Sequence, residues 1–334
     1  MDPTLLLGSV FAIVVAAALA LDLGVFHRHA HVVPAGEAIR WTVLWVTIAA
    51  AMGAGILLVR GPDDAVRYAT GYVVEYSLSI DNVFVFGVVF AAFGIPRHLQ
   101  HRVLFWGVIG ALAMRLVMIL LGTALIARFD WLLALFGAFL LVTGLRILFR
   151  RPDAEAHPER SLLVRLARSR LRVTEALDGQ RFLVRTGAGL AATPLLLALV
   201  AVEASDLIFA IDSIPAIFGI TTDPFLVLAS NAAAILGLRS LYFLLADATV
   251  RFHRLSAGLA AVLLFIGAKL VLGPWVHVDP LLSLLVVLAI LGLAVVASIV
   301  APRTLQTPAA RAARADFHEW GPATGEGAGG SEGL

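Results

Sequence analysis

Long apolar runs alternate with short arginine-bearing connections along almost the whole chain. Runs long enough to cross about 30 Å of hydrocarbon cover residues 5–25, 39–59, 68–93, 103–126, 131–149, 191–218, 224–245, 257–272 and 281–300. The pattern predicts an all-α polytopic membrane protein of about nine transmembrane helices. The first run has no basic segment ahead of it and ends in Asp22 rather than in a small-residue cleavage site, so a retained span is expected, not a signal peptide. The chain divides into five spans (1–149), a cytoplasmic Arg-rich connection (150–187) with a partly helical pattern around 161–177, four more spans (188–302), and a cytoplasmic tail (303–334), Gly-rich over 321–334, that reads as disordered.

The runs repeat. Glu75-Tyr-Ser-Leu-Ser-Ile-Asp81-Asn82 in the third span is echoed by Asp206-Leu-Ile-Phe-Ala-Ile-Asp212-Ser213 in the sixth. The spacing of the acids is kept, and a polar residue again follows the second acid. The next spans keep step: Trp106 to Arg115 parallels Ser230 to Arg239, and Leu140-Leu-Val-Thr-Gly-Leu-Arg146 parallels Leu263-Leu-Phe-Ile-Gly-Ala-Lys269. Spans three to five and six to eight therefore form two three-helix units. An odd number of crossings per unit sets the two in opposite orientations, an inverted repeat of the kind found in transporters, with the site at the midplane and often on broken helices.

Helical geometry sorts the acids. Residues three, four and seven apart share a face, whereas six apart lie about 120° away from each other. Glu75, Ser79 and Asn82 make one stripe; Asp206 and Ser213 make its equivalent, with Glu203 beside Asp206. Asp81 and Asp212 fall off the stripes. For all of them to meet one ion, the helices are expected to unwind nearby, with Pro215 as a cause.

Composition agrees with membrane residence: 60% of residues are hydrophobic, 14% are charged and mean hydropathy is +0.94. With no cysteine, disulfides, thiolate metal sites and thiol redox chemistry are excluded together. Placing the N-terminus outside puts 18 basic residues in cytoplasmic segments and three (Arg60, Arg67, Arg128) outside, which favours N-out and C-in. The Arg-rich connection reads as a solvated linker near anionic headgroups.

An ionisable group at the bilayer centre costs about 2.5–3.5 kcal/mol, so carboxylates in two matched places suggest a site for something positive. Oxygen-only ligation by Glu75, Asp81, Asp206, Asp212, Glu203 and Asp22, with Asn82 and Ser213, suits a hard divalent cation such as Mg²⁺, Ca²⁺ or Mn²⁺. All nine histidines lie in connections or the tail, and His27, His29 and His31 read as solvated. Asp22 has a second reading as an interfacial helix cap, and Ser77, Ser79 and Ser213 as bonding to the backbone one turn earlier. Asp247 and Lys269 are structural or gating candidates. The acids could also pair with Arg115, Arg146, Arg239 and Lys269; six acids outnumber four bases, so such pairing is expected to be partial.

These motifs, together with Gln100-His-Arg-Val-Leu-Phe-Trp-Gly, Ala192-Thr-Pro-Leu and Leu21-Asp-Leu-Gly-Val-Phe-His-Arg, closely resemble the TerC/Alx family of integral membrane proteins over about residues 20–275. The resemblance implies inverted three-span repeats, a link by name to tellurium resistance, Mn²⁺ export across a bacterial cytoplasmic membrane, and an ion path lined by Glu75, Asp81, Asp206 and Asp212 with Asp22 and Asn82. No ATP-binding Gly-x-x-x-x-Gly-Lys-Ser/Thr motif is present. Expelling a divalent ion from a negative interior costs about 4.6 kcal/mol per 100 mV, so proton antiport is the expected drive. The expected partners are the bilayer, the transported cation (Mn²⁺, alternatively Ca²⁺) and protons. No nucleic acid, resident cofactor or enzymatic activity is expected. A scaffold whose acids are structural is the competing reading, and carboxylates make a poor site for an oxyanion such as tellurite.

Overall fold

The computed structural model describes residues 3–21, 34–129, 131–149, 172–174, 177–186, 189–245 and 255–300. Among them are nine helices: α1 (Pro3–Leu21), α2 (Ala35–Arg60), α3 (Pro62–Ala92), α4 (Arg97–Ile126), α5 (Trp131–Leu148), α6 (Pro194–Phe218), α7 (Pro224–Leu245), α8 (Leu255–Leu272) and α9 (Pro280–Val300). Seven of these are long and apolar enough to span a membrane, and α1 and α8 carry shorter apolar stretches. The protein is an all-α polytopic membrane protein, with every expected span falling on a helix. Burial is inside-out relative to a water-soluble protein: Leu58, Leu293 and Val300 face outward at 86%, 70% and 75% exposure, while Glu75, Arg115 and Asp206 are buried.

Local chemistry sets the helix starts. Proline opens α3, α6, α7 and α9, at a position where its missing N–H is not needed. Asp223 caps α7, its Oδ1 accepting from the N–H groups of Phe225 at 2.9 Å and Leu226 at 3.1 Å. Asp279 accepts from the Leu281 N–H at 2.8 Å at the start of α9. A single residue, Gly61, separates α2 from α3, and its φ of +93° is why only glycine suits that corner.

The two three-helix units are α3–α5 and α6–α8, and α5 and α8 cross antiparallel. A Cβ on Gly137 would stand 2.9 Å from the Gly267 carbonyl oxygen, one on Gly267 would stand 2.8 Å from the Gly137 oxygen, and one on Gly144 would stand 3.0 Å from the Ala260 oxygen. Gly144 aligns with Gly267 in the repeat, and Gly137 with Ala260. The two close contacts are therefore one contact with the units exchanged, which is what an inverted repeat requires. Small residues also bring α3 against α7, where Gly71 faces Ser230, and α4 against α6, where Gly107 faces Val202. These are again counterparts, to within one residue.

Two expectations fail. Neither acidic helix unwinds: α3 runs unbroken for 31 residues and α6 for 25. Pro215 lies in the last turn of α6, where the Gly219 N–H bonds its carbonyl at 3.1 Å, too close to the end to break the helix. The connection ahead of α6 also contains a hairpin, β1 (Leu183–Thr186) paired antiparallel with β2 (Gly189–Ala192), where residues 191–193 were read as membrane span. The helical pattern expected around 161–177 is absent at its described end, where Val173 forms a β-bridge with Ala192 and Leu177 is not helical; its remainder and the tail at 303–334 lie outside the described residues.

Candidate cation site at the repeat interface

Halfway along α3, α4, α6 and α7, an apolar interior gives way to a polar centre. Arg115 of α4 is 2% exposed, and its guanidinium draws together groups from both units. Nη1 donates to Glu75 Oε1 of α3, to Asn231 Oδ1 of α7 at 2.7 Å and to Ser213 Oγ of α6 at 3.3 Å. Nη2 donates to Asp206 Oδ1 of α6 at 3.4 Å. Arginine suits this place because its charge is permanent and its fork serves several acceptors at once. Glu75 and Asp206, equivalent in the repeat, thus meet on one cation.

Among the described residues, the two carboxylates and the guanidinium carry a formal charge of −1, and Glu75 Oε2, Asp206 Oδ2, Ser79 Oγ and Arg115 Nε have no hydrogen-bond partner. The two carboxylate oxygens are buried acceptors, costly unless something positive or protonated meets them. Asn82 is buried on the same stripe of α3. Apolar layers close the centre at both ends. On one side lie Phe86, Phe90, Leu99, Val103, Leu195 and Tyr242. On the other are two clusters, one around Ile119, Ile217 and Phe218 and one around Ile56, Tyr68 and Leu226.

The expected residues divide accordingly. Glu75, Asp206 and Ser213 join the centre, and Ser79 and Asn82 are buried on its stripe. Asp212 turns away, as its off-stripe position predicts: Thr143 Oγ1 of α5 donates to its Oδ1 at 3.5 Å. Glu203 is half-buried, its carboxylate against α4 at Gly110, where a Cβ would overlap it. Convergence of all the acids on one point is thus not what the structure has, because the unbroken helices keep Asp212 off the site face. Among the described residues no three carboxylate or imidazole groups stand close enough to ligate one metal ion. Asp81 lies on α3 with its side chain outside the described set, and Asp22, Asp247 and His27, His29 and His31 lie outside the described residues. Ser77 takes the backbone reading, donating to the Val73 carbonyl at 2.6 Å, whereas Ser79 does not. Lys269 donates to Ser283 Oγ of α9 at 2.9 Å, a structural tie.

Asn231, a partner of Arg115, carries no signal in the repeat, because its counterpart in the other unit is Gly107, which has no side chain. The arginines also differ in use: Arg115 takes the centre, while its counterpart Arg239, buried in α7, makes no hydrogen bond to Glu75 or Asp206.

The fold and site define a multi-pass membrane protein built on an inverted repeat with a charged centre. Residues 60–306 match the model of the integral membrane protein TerC family, and the chain belongs to that family. It is 50% identical to "Uncharacterized membrane protein STKORF319" of Myxococcus xanthus over 297 residues, covering 89% of this chain and 93% of the relative. It is 46% identical to "Putative membrane-bound redox modulator Alx" of Escherichia coli (strain K12), covering 86% and 92%. A membrane protein of Rickettsia bellii is 39% identical, covering 87% and 96%. No solved structure matches.

Proposed function

We propose that this TerC-family protein is a secondary transporter that carries a hard divalent cation, Mn²⁺ ahead of Ca²⁺, out of the cytoplasm in exchange for protons. The observation that carries the reading is the pairing of Glu75 with Asp206. Equivalent acids of two inverted units meet on one guanidinium at a buried centre whose described groups carry a formal charge of −1, with two carboxylate oxygens lacking a partner among the described residues. A centre of that charge takes up a cation or a proton, and competition between the two is the basis of antiport. Two protons per divalent ion make the exchange electroneutral. Rocking one unit against the other opens the apolar layers in turn. The arginine distribution supports an N-out, C-in placement in the bacterial cytoplasmic membrane. The reading assigns no enzymatic step and no resident cofactor. The redox role in the E. coli relative's name has no thiol to act through in this cysteine-free chain.

The test is cellular manganese in a Mn²⁺-sensitive bacterial host expressing wild type, Glu75→Gln or Asp206→Asn at matched membrane levels. Export predicts lowered manganese with wild type alone. Unchanged manganese with well-expressed wild type defeats the reading. In proteoliposomes, efflux must respond to an imposed pH gradient, or proton coupling falls. A second reading is favoured by the Arg115 pairings themselves: acids neutralised by an arginine are also what a membrane scaffold needs for insertion. It predicts that both amide variants lose stability while manganese stays the same in all strains.

A further inference from the structure

We infer that Arg115 is a resident surrogate cation, which the transported ion displaces from the Glu75–Asp206 centre and which Glu203 then receives. The inference rests on the transport reading above. The guanidinium occupies the point where the oxygen donors converge, Glu75 and Asp206 with Asn231 and Ser213. Those are the donors a hard divalent cation would use. A guanidinium and a divalent ion cannot occupy the same oxygens at once, and the ion with two carboxylates brings the charge at that point to zero, whereas the guanidinium leaves −1. A surrogate keeps the carboxylates partly neutralised when no ion is bound, which a membrane interior demands.

The displaced guanidinium has a place to go. Helical side chains lean toward the N-terminus of their own helix, so Arg115 reaches along α4 in the direction of Gly110. There, on the facing side of α6, rests the Glu203 carboxylate, one turn from Asp206 and with no hydrogen bond to any described residue. Gly110, having no side chain, leaves the room the carboxylate occupies. Nothing in the mechanism as proposed above uses Glu203; reception of Arg115 gives it a task as a positioning residue that does not bind the ion.

The experiment is Mn²⁺ binding to the full chain in lipid nanodiscs, with free Mn²⁺ read by electron paramagnetic resonance, in wild type, Arg115→Gln, Arg115→Lys, Glu203→Gln, Arg115→Gln/Glu203→Gln and Asp206→Asn. Removing the competitor tightens binding at least tenfold in Arg115→Gln. Arg115→Lys, which keeps the charge but loses the fork, falls between that and wild type, and it carries the test if the glutamine variant does not fold. Glu203→Gln weakens binding in the wild-type background and has no effect in the Arg115→Gln background. If Arg115→Lys and Arg115→Gln bind no tighter than wild type while Asp206→Asn loses binding, the surrogate role is overturned and the transport reading survives. If Glu203→Gln weakens binding equally in both backgrounds, Glu203 is an ion ligand and its receiving role is overturned. If Asp206→Asn binds Mn²⁺ as wild type does, the transport site itself is wrong and this inference falls with it.

Discussion

The two units touch in two contrasting ways. Where α5 crosses α8 the contact is apolar and reciprocal: Gly137 against Gly267 repeats as Gly144 against Ala260, and backbone meets backbone. At the polar centre the contact is ionic and unreciprocated, because Arg115 bridges the units while Arg239 hydrogen-bonds to neither acid. Reciprocity marks scaffold, where both copies of a duplicated sequence bear the same steric load. Its loss at the centre, where one guanidinium serves an acid from each unit, sets that contact apart from the scaffold.

The contrast yields graded tests. Glu75→Gln replaces a buried charge-assisted bond to Arg115 by a neutral one, so a loss of about 1.5–3 kcal/mol of stability is expected together with loss of manganese export. Thermal unfolding in detergent and cellular manganese read the two losses. Gly137→Ala or Gly267→Ala drives a Cβ into backbone that cannot yield, and a loss of about 1–3 kcal/mol is expected. Export per folded molecule is retained if the crossing is scaffold only. Gly110→Ala meets only the movable end of Glu203. It is expected to shift stability by no more than about 1 kcal/mol, while weakening Mn²⁺ binding in the nanodisc assay by displacing that carboxylate. Arg60→Gln is expected to be mildest. Its bonds to Asp64 at 2.7 Å and Asp223 at 2.5 Å join the outer ends of α2, α3 and α7 but are partly exposed, and such pairs contribute about 0.2–1 kcal/mol. A loss from Arg60→Gln as large as that from Glu75→Gln would show that the outer ends, and not the centre, hold the units together.

Much of this was legible from residue order. Apolar length located the helices, to within about six residues at their starts and four at their ends. Period located the stripes: Glu75, Ser79 and Asn82 are all buried, as are Asp206 and Ser213. The hairpin at 183–192 was missed because Gly189-Leu-Ala-Ala reads as apolar, and its strand partner lies in a stretch taken for linker. Broken helices were expected in order to bring every acid to one point. The error lay in assuming a single point, since Asp212 has its own polar neighbour in Thr143 and needs no unwinding to reach it.

Residue order by itself determined the spans, the inverted repeat and which acids face inward. These follow from chain length against membrane thickness and from helical period, both local properties that hold wherever a helix is placed. Only the tertiary structure decided that Arg115 rather than Arg239 takes the centre, that Asn231 joins it, and that Asp212 and Glu203 lie elsewhere. Those choices depend on which side chains come within about 3 Å of each other across four helices. Such distances are set by packing between helices, and small residues such as Gly71, Gly107 and Gly110 fix that packing without carrying any chemistry of their own.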